Sequence, residues 1–234
     1  MKKFEFTGET KTTVNGIVLH RIKALVRIDL GYSTIIEVGD LGGWLEKEDN
    51  LSHLGNAWVS GDAEVLGDAL IYGDALISGY SRVFGNARIF GNARIYNHAW
   101  VFGDALVSGY AWIYGNAQVF GDAEVHGNAQ VSGDAEVLGD AKIYGNSKVS
   151  DDACINKRDH ILNIGPIGSR NEFTTFFRTK DRKIKVSCGC FLGTIDEFLE
   201  KVEQTHGDSK HAIVYKAAAD IALAQIGTSD EDDA

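Results

Sequence analysis

From Gly55 to Asn156 the chain repeats one six-residue phrase seventeen times, without a single insertion. The phrase is Gly-Asp/Asn-Ala-x-Val/Ile-x, as in Gly61-Asp62-Ala63-Glu64-Val65-Leu66. A period so short and strict is the signature of a β-helix coil. Each repeat has a β-branched residue at its fifth position, from Val59, Val65 and Ile71 to Val149 and Ile155. Two residues earlier stands Ala, replaced only by Ser81 and Ser147. Alternate residues of a strand share a face, so these two side chains point together into one interior. Gly followed by Asp or Asn supplies the corner, because these residues tolerate left-handed backbone angles. Six residues therefore make one short strand and one turn.

The repeat resembles the hexapeptide family, whose members form a left-handed parallel β-helix, a triangular prism with three repeats per coil. The hand comes from that resemblance. Seventeen repeats then give about five and two-thirds coils, a prism roughly 27 Å tall at about 4.8 Å between stacked strands. The expected fold is an all-β left-handed parallel β-helix with an N-terminal β cap and a small α+β C-terminal domain.

The chain has 234 residues, a formal charge of −10 and no basic stripe of the kind a nucleic-acid backbone requires. No apolar run reaches the length of a membrane span or a signal peptide. Cys154, Cys188 and Cys190, with no signal sequence, read as reduced thiols of a cytoplasmic protein. The expectations are accordingly no nucleic acid, no membrane, no metal and no cofactor.

Residues 1–54 read as a hairpin and cap. Phe4, Phe6, Ile17 and Leu19 belong to the strands, and Val14-Asn15-Gly16 to the turn. Trp44, Leu45, Leu51 and Leu54 are expected over the open first coil. Residues 157–227 read as a second small unit. Phe173–Thr179 and Lys183–Cys188 form a hairpin there, and two helices follow. Thr194-Ile195-Asp196-Glu197 is a capping box for a helix ended by Gly207, and Asp208 is expected to cap the next, to about Ile226. Residues 228–234 read as an acidic disordered tail. Gly42-Gly43-Trp44-Leu45-Glu46 with Asn50-Leu51-Ser52, placed before hexapeptides, resembles the cap of hexapeptide proteins of bacteria and their phages, some labelled acetyltransferase. Cys188-Gly189-Cys190-Phe191-Leu192-Gly193-Thr194, with Glu197-Phe198 and Thr205-His206-Gly207, resembles a C-terminal module of phage and prophage proteins. These resemblances imply architecture and context, and no activity.

Residues eighteen apart stack on one wall. Leu66, Phe84, Phe102, Phe120 and Leu138 thus form one outward apolar line. Such a stripe marks either a subunit interface or a surface covered by the chain's own flanks. The family habit of trimers makes a homotrimer the expected assembly. The corner residue is Tyr80, His98 and Tyr110 where Asp or Asn is expected, and Asn97 replaces Gly. Tyr80 and His98 share a corner, beside Arg82 and Trp100. Tyr110 neighbours Trp112 and Tyr114 on the wall that holds Arg94. Broken local rules are where a site is expected. Aromatic faces with guanidinium groups suit a planar anion such as a nucleotide, and they equally suit a protein contact.

Acyl transfer is the enzyme class the fold suggests, with His98 as base. No loop excursion and no third group to orient the imidazole accompany it. The zinc-binding branch of the fold needs three histidines, and His98 and His126 lie on different walls. Cys188-x-Cys190 lacks paired zinc spacing and reads as a strand. Gly165–Arg170 reads as a turn. The favoured expectation is a non-enzymatic phage-type binding protein that sequesters a nucleotide-like molecule and counters a host defence. An acyltransferase and a structural scaffold are the alternatives.

Overall fold

A computed structural model describes residues 2–31 and 33–228. The expected acidic tail, residues 229–234 above all, lies outside the described residues. The chain opens with β1 (Phe4–Thr12) and β2 (Val18–Ala24), an antiparallel pair turned at Thr13–Ile17, where Gly16 N–H donates to the Thr13 carbonyl at 2.9 Å. Short β3 (Ile28–Asp29), β4 (Ile35–Ile36) and β5 (Leu41–Leu45) follow. Seventeen two-residue strands then run from β6 (Trp58–Val59) to β22 (Cys154–Ile155), one per hexapeptide.

These strands stack in parallel into three walls of a β-solenoid with about six turns. Each residue pairs with the one eighteen positions on, as Arg82 with Trp100, Arg88 with Leu106 and Arg94 with Trp112. The first wall carries Glu64, Arg82, Trp100, Gln118, Glu136 and Cys154 on its outer face. The second carries Arg88 and the third Arg94 at the same level. Inside, the Ala and Val/Ile positions of the repeat are shut from solvent from Ala57 and Val59 to Ala153 and Ile155. That outcome follows from the period of two within a strand and the left-handed glycine corners between strands.

The first wall continues upward into the N-terminal strands. Within it β1, β2 and β5 are antiparallel neighbours, and β5 lies parallel to β7 (Glu64–Val65). The register pairs Trp44 with Glu64 and Leu45 with Val65. Leu45 therefore points into the core, as expected, and Trp44 does not. Trp44 sits on the outer face in a separate apolar cluster with Leu19 and Leu66. Leu51 is buried in the main core with Phe4 and Ile22. Leu54 is 81% exposed, so the expectation that it covers the first coil is corrected. Phe4, Ile22, Leu45 and Leu51 close that end instead.

Beyond the repeat come β23 (Ile161–Ile167), β24 (Glu172–Arg178), β25 (Ile184–Cys188) and β26 (Phe191–Thr194) in one antiparallel sheet. The expected hairpin is β24 with β25. Gly165 and Pro166 lie within β23 at a shift of register, not in a turn; the turn comes at Gly168–Asn171. Ile161 and Phe177 join the solenoid core and close its lower end. Helix α1 (Ile195–His206) starts at the Thr194–Glu197 capping box and stops at Gly207. Helix α2 (Lys210–Gln225) is capped by Ser209 rather than Asp208. Both helices pack on the sheet around a second core of Phe176, Val186, Phe198, Val202 and Tyr215. None of the described helices is long and apolar enough to cross a membrane.

Candidate functional site

Two of the three corner departures, Tyr80 and His98, lie with Asn97 where the third wall turns into the first, while Tyr110 stands where the second turns into the third. Asn97 keeps the left-handed corner with φ 61°, the geometry that glycine holds elsewhere in the stack. With the corner backbone preserved, Tyr80 and His98 project in the same direction from consecutive coils. Their rings stack at 5.3 Å between centroids, 7° from parallel. Their amides are spent in the inter-coil ladder, Tyr80 N–H on the Asn97 carbonyl at 2.7 Å and His98 N–H on Gly115 at 2.9 Å.

Two residues on, the strands present Arg82 and Trp100. The Arg82 guanidinium lies 5.3 Å from the centre of the Trp100 ring and 5.8 Å from that of Phe84. Its Nε donates to Glu64 at 2.9 Å. Neither terminal nitrogen of Arg82 makes a hydrogen bond among the described residues. Glu64 also takes Lys11 at 3.0 Å, so the row carries two cations against one carboxylate. Tyr80 is 61% exposed and Trp100 37%. Two grooves flank the cluster. One, about 470 Å³, lies between Tyr80, Arg82 and Glu64 and the hairpin residues Lys11–Val14. The other, about 450 Å³, is lined by His98, Trp100, Asn116 and Gln118.

Lys11 was not visible as a site residue in the sequence. It reaches Glu64 only because β5 pairs with β7 and carries the hairpin with it, a long-range pairing that leaves no periodic signal. The same Lys11 stands 4.5 Å from the Trp44 ring centre, with Arg21 at 5.2 Å, so Trp44 is a fixed support for this part of the wall.

The second expected group is only partly assembled. Tyr96 stacks on Tyr114 at 5.0 Å and meets Trp112 edge-on at 6.2 Å. Burial pushes the Tyr96 phenol above its ordinary pKa, with the neighbouring Tyr114 adding to the shift. Arg94 donates to the Leu30 carbonyl at 2.8 Å and thus clasps the N-terminal segment to the third wall. Tyr110 is exposed and makes no ring contact among the described residues.

The apolar line is continuous but not uniformly open. Phe84 stacks on Phe102 at 4.8 Å and Phe102 on Phe120 at 4.7 Å, all within 3° of parallel. Leu66, at 7% exposure, is covered by Leu19 and Trp44, and Phe84 packs partly against that cluster. Phe102, Phe120 and Leu138 are half-buried. Intrachain cover thus accounts for the top of the stripe alone.

His98 stacks on Tyr80, and among the described residues its ring nitrogens have no hydrogen-bond partner to orient or activate them. Among the described residues, no three His, Cys, Asp or Glu side chains gather into a metal-binding set.

Residues 87–102 match the family model of the YdcK beta solenoid repeat. The matched stretch holds Arg88, Arg94, Asn97, His98 and Trp100. Similarity to the YdcK repeat over so short a span speaks for a repeat scaffold, in agreement with the stacked coils. Among curated proteins, none matches this chain.

Proposed function

We propose that this solenoid is a binding scaffold that holds a planar, anionic, nucleotide-like molecule against Tyr80, His98, Arg82 and Trp100. The observation that carries the reading is the three exposed aromatic rings of Tyr80, His98 and Trp100 beside a guanidinium whose terminal nitrogens are unused. A base has two ring faces to stack on, and a phosphate has two parallel donors to meet. The binding does not call for catalysis, and the unpartnered imidazole of His98 gives acyl transfer no activated base. The resemblance of the C-terminal unit to a phage and prophage module, and of the cap to hexapeptide proteins of bacteria and their phages, supports a role in sequestering a host signal of that chemistry.

The molecule works as a homotrimer in this reading, with Phe102, Phe120 and Leu138 against a neighbouring prism and the grooves at the seam. A second reading, contact alone, is favoured by the unbroken Phe84–Phe102–Phe120 stack beside the cluster. Native mass spectrometry of freshly purified protein, with release of anything bound, separates the two. A nucleotide-sized mass is expected on the oligomer. Replacing Arg82 and Trp100 together by Ala should remove a stacking face and a phosphate donor, about 3 kcal/mol or more, roughly a hundredfold in Kd. Unchanged ligand binding in that variant would sink the site; no bound mass on a clean oligomer would favour contact alone.

A further inference from the structure

The C-terminal unit holds a cavity of about 310 Å³ that has no part in the wall site. It opens between the end of β25, the start of β26 and helix α1, with Tyr215 of α2 at its floor. The floor is aromatic: Phe191 and Phe198 lie 5.6 Å apart, and Tyr215 meets Phe198 edge-on at 5.6 Å. Gly168 leaves room for the Tyr215 hydroxyl, since a Cβ there would fall 1.8 Å from it. The Tyr215 side chain is therefore locked, and burial raises its phenol above the ordinary pKa, with Cys188 adding to the shift. Cys188 accepts from Thr174 Oγ1 at 3.2 Å and fills the inner wall.

The rim has a different character. Arg170 and Lys201 stand on it from opposite elements, the β23–β24 turn and α1, and neither is ion-paired among the described residues. Glu172 is the rim's carboxylate. An apolar floor under two unpaired cations is the pattern of a pocket that buries a body and fixes a charged end. The volume is at the lower end of small-molecule sites, too tight for a dinucleotide.

We propose that this cavity binds a small monocarboxylate with an aromatic or branched aliphatic body. The body lies on Phe191, Phe198 and Tyr215, and the carboxylate faces Lys201 and Arg170. Glu172 disfavours a second negative charge.

The test is a titration of the full chain with 3-phenylpropionate, followed by amide shifts at Val202, Cys188 and Phe191. Saturable binding is expected in the millimolar range, ordinary for a fragment. The neutral 3-phenylpropan-1-ol should bind about tenfold more weakly, and Lys201→Gln or Arg170→Gln should each weaken the acid about tenfold, as loss of a charge-assisted bond does. Glu172→Gln should tighten it a few-fold, a direction that damage to the fold would not give. No saturable shift, equal affinity for acid and alcohol, or indifference to Lys201→Gln would overturn the proposal. N-acetylphenylalanine should bind at least as well as a longer peptide ending in Phe. Clearly tighter binding of the peptide would replace the small molecule by a protein C-terminus.

Discussion

Asn97 shows what a corner of this solenoid demands of one residue. Its φ of 61° lies a few degrees from the 65–75° of most glycines in the stack, so a side chain is admitted where the backbone is left-handed. The space is close: a Cβ built on Gly103 would meet the Gly121 nitrogen at 2.9 Å and its oxygen at 3.3 Å. Two costs are thus mixed, the left-handed angle and the approach of the next coil. Asn relieves the first, because its short amide tolerates that angle; the second falls on any side chain. Gly103→Ala is expected to destabilise by about 2 kcal/mol, and Gly103→Asn by about half of that. Chemical denaturation of the two variants measures the difference. Equal losses would mean that crowding, not the backbone angle, sets the corner.

At the scale of elements, the open end of a solenoid is a sheet edge with unpaired backbone groups, and the N-terminal cap pairs them explicitly. Lys3 Nζ donates to the Ala57 carbonyl at 2.6 Å, and Asn50 Nδ2 to Gly67 and Ala69 at 3.0 and 2.9 Å. Burial lowers the Lys3 ammonium from 10.5 to about 8, with Asp74 opposing the shift. Below about pH 8 both folded and unfolded chains carry the proton. Between about 8 and 10.5 the unfolded chain binds more of it, so stability rises with pH across that window. The denaturant midpoint should therefore climb from pH 8 to pH 10 in the parent more than in Lys3→Met; parallel profiles would remove Lys3 from the cap's titration. None of this was legible beforehand. The repeat declares its strands, its core and the stacking of Tyr80 on His98, because each follows from periods of two, six and eighteen. The cap obeys no period. Trp44 and Leu45 could be named, but which of them faces inward depends on the β5–β7 register. Leu54 is apolar and adjacent, yet stands in the bend before the first corner. Asp208 and Ser209 are both good caps, and only the phase of α2 chooses between them.

On the whole molecule both ends of the prism are closed, above by Phe4, Ile22, Leu45 and Leu51 and below by Ile161 and Phe177. End-to-end stacking of solenoid coils is blocked, so the trimer proposed above would have to be lateral. The first wall offers the place. Its top lies under the N-terminal hairpin, which covers Leu66. At its foot the 179–183 turn is tied on, with Lys180 N–H on the Asp152 carbonyl at 2.9 Å and Lys180 Nζ on Glu136 at 2.7 Å. Between them remains a window of stacked rings, Phe102 and Phe120 with Leu138 below, next to the Arg82–Trp100 pair. Apolar rings framed by charged residues are what a desolvated contact surrounded by a polar rim requires. The side chains point outward from the core, so Phe102→Glu with Phe120→Glu should leave the coils folded while placing two carboxylates per chain in the contact. The far-ultraviolet circular dichroism should keep its parent form, and the mass by light scattering should fall from trimer to monomer. A parent that is monomeric at micromolar concentration, or a double variant that stays trimeric, would overturn the lateral contact and with it the seam in which the nucleotide-like ligand is held.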